Sequence, residues 1–390
     1  MIFGVKGWRG IGASTALVLW VLGGVVAPGA SVASNLGHSS RSTTPAPGDA
    51  LAGVTCVSVS DCWAVGSHYP ATHQTLIEHY DGSEWKAVSS PSTSAATNGL
   101  IGITCTSGSS CWAVGFRGNA PEKTLIERYD GTSWNIVTSP NVSPTGDNTL
   151  AAVSCTSATD CWAVGSYGTF PTYTLVERFE GSTWNVVASA NVASSRSDTL
   201  HSVVCTSTTN CWAAGGYLNS SFAGETLIEQ YDGTAWRLGG SASTTEPGVL
   251  EAVTCGTATS CRAAGETSAS GADQPLIEQY SGTAWTIANS ATTSSGSGLN
   301  AITCLSPTYC WAVGSQGAGE TLTLRFNGFG WTIVAAPSPG PEAELKGVVC
   351  TSTTNCWAVG TSLSSQASYQ TLITKYQGTA WTRVRSPNPA

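Results

Sequence analysis

The chain's fourteen cysteines are the residues best placed to do chemistry. They fall into seven Cys-x5-Cys pairs: Cys56 and Cys62, Cys105 and Cys111, Cys155 and Cys161, Cys205 and Cys211, Cys255 and Cys261, Cys304 and Cys310, Cys350 and Cys356. Two thiols at a short fixed spacing either oxidise locally or supply half of a metal site. A zinc site would need two more ligands per pair, and the chain has only five histidines. His68, His73 and His79 crowd one copy, yet no Asp or Cys lies in the loop between them to complete a set. Seven local disulfides are therefore expected, each worth roughly 2 kcal/mol by chain entropy, with no metal and no cofactor.

Those pairs belong to a repeat with a period of about fifty residues, the range of repeat architectures. The unit reads L-x-x-[V/I]-x-C-x5-C-W-A-V-G, a variable stretch, T-L-I-E-x-Y-D-G-x-x-W, and a β-rich tail. Leu51, Leu100, Leu150, Leu200, Leu250, Leu299 and Leu345 each precede a cysteine by five positions. Every unit holds four short segments rich in Val, Ile, Thr, Tyr and Trp, punctuated by Gly, Ser, Asp and Pro, with no helical spacing. Four strands form a sheet too small to bury both faces alone, so the units must stack. The expected fold is all-β: a seven-bladed β-propeller of four-stranded antiparallel blades, one disulfide per blade. No terminal strand is left over, so blades one and seven are expected to meet like any other pair.

Recurrence separates scaffold from site. Thirteen of the fifteen tryptophans recur at two repeat positions, which assigns them to packing between blades rather than to sugar platforms. Glu78, Glu127, Glu177, Glu229 and Glu278 recur in strand three and give way to Leu324 and Thr374, whereas a catalytic carboxylate would be singular. The glycine of the Y-D-G-x-x-W turn is suited to a tight hairpin. Blade five diverges: Arg262 stands for Trp, Glu266 follows the strand-two glycine and Ser281 stands for Asp. Drift of one copy is favoured there over a pocket.

The second strand with its glycine (Cys161 to Gly165) and the Phe179 to Trp184 turn resemble the kelch repeat. The likeness is closer to Cys-Trp-Ala-Val-Gly repeat proteins of secreted bacterial sets. The glycine pair typical of kelch occurs only as Gly215-Gly216, and the paired cysteines are not a general kelch feature. The resemblance implies a propeller and transfers no activity, since such proteins include enzymes and binding scaffolds.

Residues 1–33 read as a signal peptide: Lys6 and Arg9, an apolar run from Ile11 to Val26, and Ser31-Val-Ala33 as cleavage site. Uncleaved, the same run would anchor the chain at the cell surface; either way the repeats are secreted or extracellular. Residues 34–49 read as a flexible Ser/Thr/Pro linker and 50–390 as the propeller. A net charge of −8 argues against nucleic acid or an anionic membrane surface as partner, and a monomer is expected.

Two connections per unit are constant in length and two vary; the interval from strand-two glycine to strand-three Leu runs from 8 to 12 residues. Variable loops on one face of a rigid scaffold are where binding usually lives. Residues that break the repeat there are Tyr69, Phe116, Arg117, Phe170, Tyr173, Tyr217, Phe222 and Tyr369, aromatics suited to sugar C–H faces. The expected function is a secreted non-enzymatic recognition or scaffold module for carbohydrate or an extracellular protein. A carbohydrate-active enzyme and a purely structural surface component stay open. An enzyme should cluster unique acid or base groups on that face, where Glu122, Glu225, Asp273 and Glu320, with Asp147, Asp198, Glu246 and Glu342 in the linkers, look dispersed.

Overall fold

Each cysteine pair forms a disulfide across the first two strands of a blade, in directly opposed register, as in Cys56 with Cys62. The Cα atoms of the seven pairs lie 3.9 to 4.1 Å apart. The computed structural model describes residues 48–388 except 70–71, 94–96, 193–194, 243, 270–271, 292 and 294–295. The signal segment and the spacer up to residue 47 lie outside the described residues.

Among the described residues, twenty-eight strands form seven four-stranded antiparallel sheets in simple up-and-down order. Blade one comprises Asp49–Ser58, Asp61–His68, Gln74–Tyr80 and Trp85–Val88; the others occupy 98–137, 148–187, 197–238, 248–288, 297–333 and 343–384. The first strands line a central channel. The second strand lies between two neighbours within its sheet and between two blades, so Cys-Trp-Ala-Val-Gly is a continuous buried run rather than an alternating one. Blade seven uses only its own strands, and Gly48 adds an isolated bridge to Tyr369.

The seams between blades repeat one aromatic contact. The strand-two Trp of one blade packs on the Tyr or Phe ending strand three, and on the Trp opening strand four, of the next. Examples are Trp162 on Tyr231 and Trp236, Trp311 on Tyr376 and Trp381, and, across the closure, Trp357 on Tyr80 and Trp85. Ring centroids at the six Trp seams lie 4.6 to 5.5 Å apart. A strand-three cation often covers the other indole face, as Arg178 does over Trp162 at 4.8 Å and Lys375 over Trp357 at 4.5 Å. Tilted and edge contacts of this kind add about 0.5 to 1.5 kcal/mol each beyond burial.

Blade five keeps the seam with different chemistry. Arg262 is 3% exposed, and its guanidinium lies 4.2 Å over Phe326 of blade six. It donates to Pro307 O at 3.1 Å and to Gln279 Oε1 at 3.2 Å.

A polar latch joins five seams. The serine following strand four of one blade donates to the strand-three glutamate of the next: Ser90 to Glu127, Ser139 to Glu177, Ser189 to Glu229, Ser241 to Glu278, and Ser386 back to Glu78, at 2.7 to 3.0 Å. The five glutamates are fully buried. Burial pushes Glu78, Glu127 and Glu177 up to about 8 and Glu229 to about 7, and raises Glu278, with the serine bonds opposing the rise. Where the glutamate is Leu324, Ser290 turns to Pro275 O instead; where it is Thr374, the preceding position is Ala336.

A folded-state pKa above the ordinary 4.5 means the native state holds these protons more tightly. The associated stabilisation is complete below the unfolded value and is lost as pH rises through about 7 to 8. At the turns, hydrogen bonds hold Asp81, Asp130 and Asp232 below the usual carboxylate range, so their contribution is lost only in strong acid. Calorimetric melting is therefore expected to fall steadily from about pH 5 to about pH 9, with a shallower slope in the Glu127→Gln, Glu177→Gln variant; a flat or rising profile would contradict the latch. Among the seam residues, Trp162→Ala should cost about 3 to 5 kcal/mol in denaturant unfolding. Arg262→Trp should gain roughly 1 to 2 kcal/mol by exchanging a buried charge for the ring used at the other seams.

Candidate functional site

The channel is built by a bulge that recurs in every first strand. Pairing with strand two runs from the repeat Leu directly to the residue two positions later, leaving the intervening residue unpaired. Opposite lies the strand-two glycine. A Cβ on Gly66 would come within 1.9 Å of Ala50 O, and one on Gly265 within 1.9 Å of Val249 O. Glycine is required by this close approach, and the bulge re-aims one side chain per blade.

Those seven side chains are Ala52, Ile101, Ala151, His201, Glu251, Asn300 and Lys346, and all line a channel of about 790 Å³. Blades one to three present an aliphatic wall, and blades four to seven a polar arc. His201 Nδ1 lies 3.0 Å from Glu251 Oε2, and Thr199 Oγ1 lies 3.1 Å from its Nε2. Burial pulls His201 down, but the Glu251 carboxylate and Leu250 O outweigh it, and the imidazole titrates above its usual range. Lys346 Nζ reaches Glu344 Oε2 at 3.0 Å, and Asn300 Nδ2 donates to Glu344 Oε1 at 2.9 Å. Glu266 also lines the channel; burial, then the fields of Asp273, Glu251 and Glu344, push it up to about 7.

Glu266, Glu251 and Glu344 converge at the channel, apart from the loop and linker acids singled out in the sequence. Several loop acids meet local partners: Asp147 Oδ1 accepts from Glu122 N at 2.7 Å, Asn219 donates to Glu225 at 3.0 Å and Tyr369 to Glu342 at 2.7 Å. The polar arc was not read from the sequence. Its signal is the position after the repeat Leu, which runs Ala, Ile, Ala, His, Glu, Asn, Lys within an otherwise uniform unit.

The eight loop-face residues divide. Phe170 of blade three is 61% exposed and faces Phe222 of blade four in near-parallel planes 18° apart, centroids 6.4 Å apart. Arg196 lies 5.1 Å over Phe222, whose backbone holds a φ of 63°. Tyr173, 41% exposed, packs beside Tyr167. Tyr217 instead is half-buried and packs against the seam cluster between blades three and four. Tyr69 sits edge-on to His73, Phe116 packs on Gly99, Arg117 stands in backbone register with Asn98 and Lys123, and Tyr369 is tied to Glu342 and Gly48. The three crowded histidines take separate partners: His68 pairs with Asp49, His73 with Tyr69, and His79 with Asp61 while stacking on Trp63. Among the described residues no three His, Cys, Asp or Glu side chains gather as a metal set.

No family model matches the chain, and no curated protein matches it by sequence. Solved structures share its fold. A lectin from Burkholderia pseudomallei superposes with a TM-score of 0.57 at 11% identity, over 88% of this chain and 99% of the lectin. A polysaccharide lyase, an ulvan lyase, gives 0.56 at 8% identity over 88% and 97%. YCF48 bound to D1 peptide gives 0.52 at 12% identity over 89% and 95%. At such identities the likeness establishes the seven-bladed propeller alone.

Tyr217→Ala should destabilise the fold by about 1 to 2 kcal/mol through lost contact with the seam. Tyr173→Ala, removing an exposed ring, should cost less than about 1 kcal/mol. Paired denaturant titrations check the contrast, and equal losses would contradict the division between seam and surface.

Proposed function

We propose that the chain is a secreted, non-enzymatic recognition module that binds polysaccharide on the variable-loop face, between blades three and four. The carrying observation is the Phe170 and Phe222 pair. Two rings that serve no seam stand near-parallel at the disc face, one of them mostly exposed, with Arg196 over Phe222. Aromatic faces suit sugar C–H groups, and a guanidinium suits hydroxyl or acidic substituents.

Seven disulfides and no free cysteine among the described residues support an oxidising, extracellular setting. No helix of the described residues is long and apolar enough to cross a membrane. The reading includes a cleaved signal over 1–33, a spacer to residue 49, a monomeric kelch-like propeller over 50–390, and no cofactor. An extracellular protein is the other partner class such a face would serve.

One observation favours a carbohydrate-active enzyme instead: His201, Glu251 and Glu266 bring unique acid and base groups together at the channel. Release of reducing ends or unsaturated products from a polysaccharide panel would select that reading.

A glycan-array and polysaccharide pull-down screen tests the proposal. Binding to at least one glycan is expected, with Phe170→Ala and Phe222→Ala together weakening it about tenfold or more and leaving the melting temperature unchanged. Binding untouched by that pair would remove the assignment of the site. No binding to any glycan would remove the carbohydrate reading.

A further inference from the structure

The polar arc is unbalanced. Three carboxyls, Glu251, Glu266 and Glu344, share the channel wall with two cationic side chains, His201 and Lys346. Each cation is spent on one carboxylate: His201 on Glu251 and Lys346 on Glu344, both at 3.0 Å. Glu266 is the odd one, and its charged neighbours, Asp273, Glu251 and Glu344, are all acidic.

Room is made for this carboxyl. A Cβ on Gly298 of blade six would stand 2.1 Å from Glu266 Oε2, so the glycine leaves a notch that the carboxyl of blade five fills. Other blades carry Ser67, Phe116, Ser166, Gly216, Ser315 and Thr361 at the position of Glu266. A carboxyl placed there once, against a glycine that accommodates it, is a local adaptation rather than part of the repeat. Across the channel, Ala52, Ile101 and Ala151 offer no hydrogen bond and suit methylene groups.

We propose that the central channel binds an organic cation, a primary ammonium group carried on an unbranched aliphatic chain. The ammonium balances Glu266, with Asn300 beside it on the same arc, and the chain lies along the aliphatic wall. Neutral sugars would leave the third carboxyl uncompensated, so this site is distinct in chemistry and place from the aromatic pair on the loop face.

Calorimetric titration of the protein with 1,5-diaminopentane, and with 1,5-pentanediol as the uncharged control, tests this. Saturable diamine binding with a Kd below about 1 mM and at least tenfold weaker diol binding are expected. Glu266→Gln should weaken the diamine about tenfold or more, as should Gly298→Ala, which fills the notch. The Phe170→Ala, Phe222→Ala variant should bind the diamine as the parent does, which separates this site from the polysaccharide reading. Absence of saturable diamine binding, equal affinity for the diol, or an affinity indifferent to Glu266→Gln in a variant that melts normally would each overturn the proposal.

Discussion

The ring depends on the contact between the strand-two indole of one blade and the ring pair of the next. The disulfides cannot supply that cohesion, because each closes a hairpin inside its own blade. Nor, among the described residues, is a strand exchanged between the first and last blades. What closes the circle is Trp357 against Tyr80 and Trp85, together with Ser386 on Glu78, the same pair of contacts that joins blades two and three through Trp112 and Ser139. Closure by an ordinary seam works because the closing contact, like the other latched indole seams, buries aromatic surface on both sides and holds a polar latch out of water.

A second constraint follows from the bulge. Strand-two glycine lets the first strand press close, and the unpaired residue turns to the channel. That position lies outside the aromatic seams, so its side chain is free to differ between blades. The scaffold residues repeat while the channel residues run from Ala to Lys, and the same separation holds at the loop face, where Phe170 is exposed and Tyr217 is half-buried against a seam. Repetition builds the rigid disc; departures from it mark the surfaces open to specialisation.

Much of this was legible from residue types alone. Cys-x5-Cys places two thiols across a two-residue turn, and the strand periods, the turn glycines and the Trp positions all read directly into blades and seams. Gly82, Gly131 and Gly181 take the positive φ expected of the hairpin. The bulge was not legible, because it is a property of pairing register between two strands and no residue type announces it. His201, Glu251, Asn300 and Lys346 consequently passed as ordinary strand positions, and Glu266 as drift. The serine–glutamate latch was half legible: the glutamates were recognised as structural, but their serine partners lie 37 to 40 residues upstream, or at the far end of the chain for Glu78. Only the loss of both partners in Ala336 and Thr374 hints at the pairing. Aromatic loop residues were the hardest to judge, since composition does not distinguish a ring packed against a seam, such as Tyr217, from one left outside it, such as Phe170.

Hydrogen–deuterium exchange of the second-strand and third-strand amides, compared blade by blade, is the most direct test of a ring held by equivalent seams. Protection in blades one and seven should match that in blades two to four, because the closing contact is the same indole, ring pair and latch. Early exchange confined to blades one and seven, with the remaining blades still protected, would show that the ring opens at its closure and would contradict a disc joined by like seams.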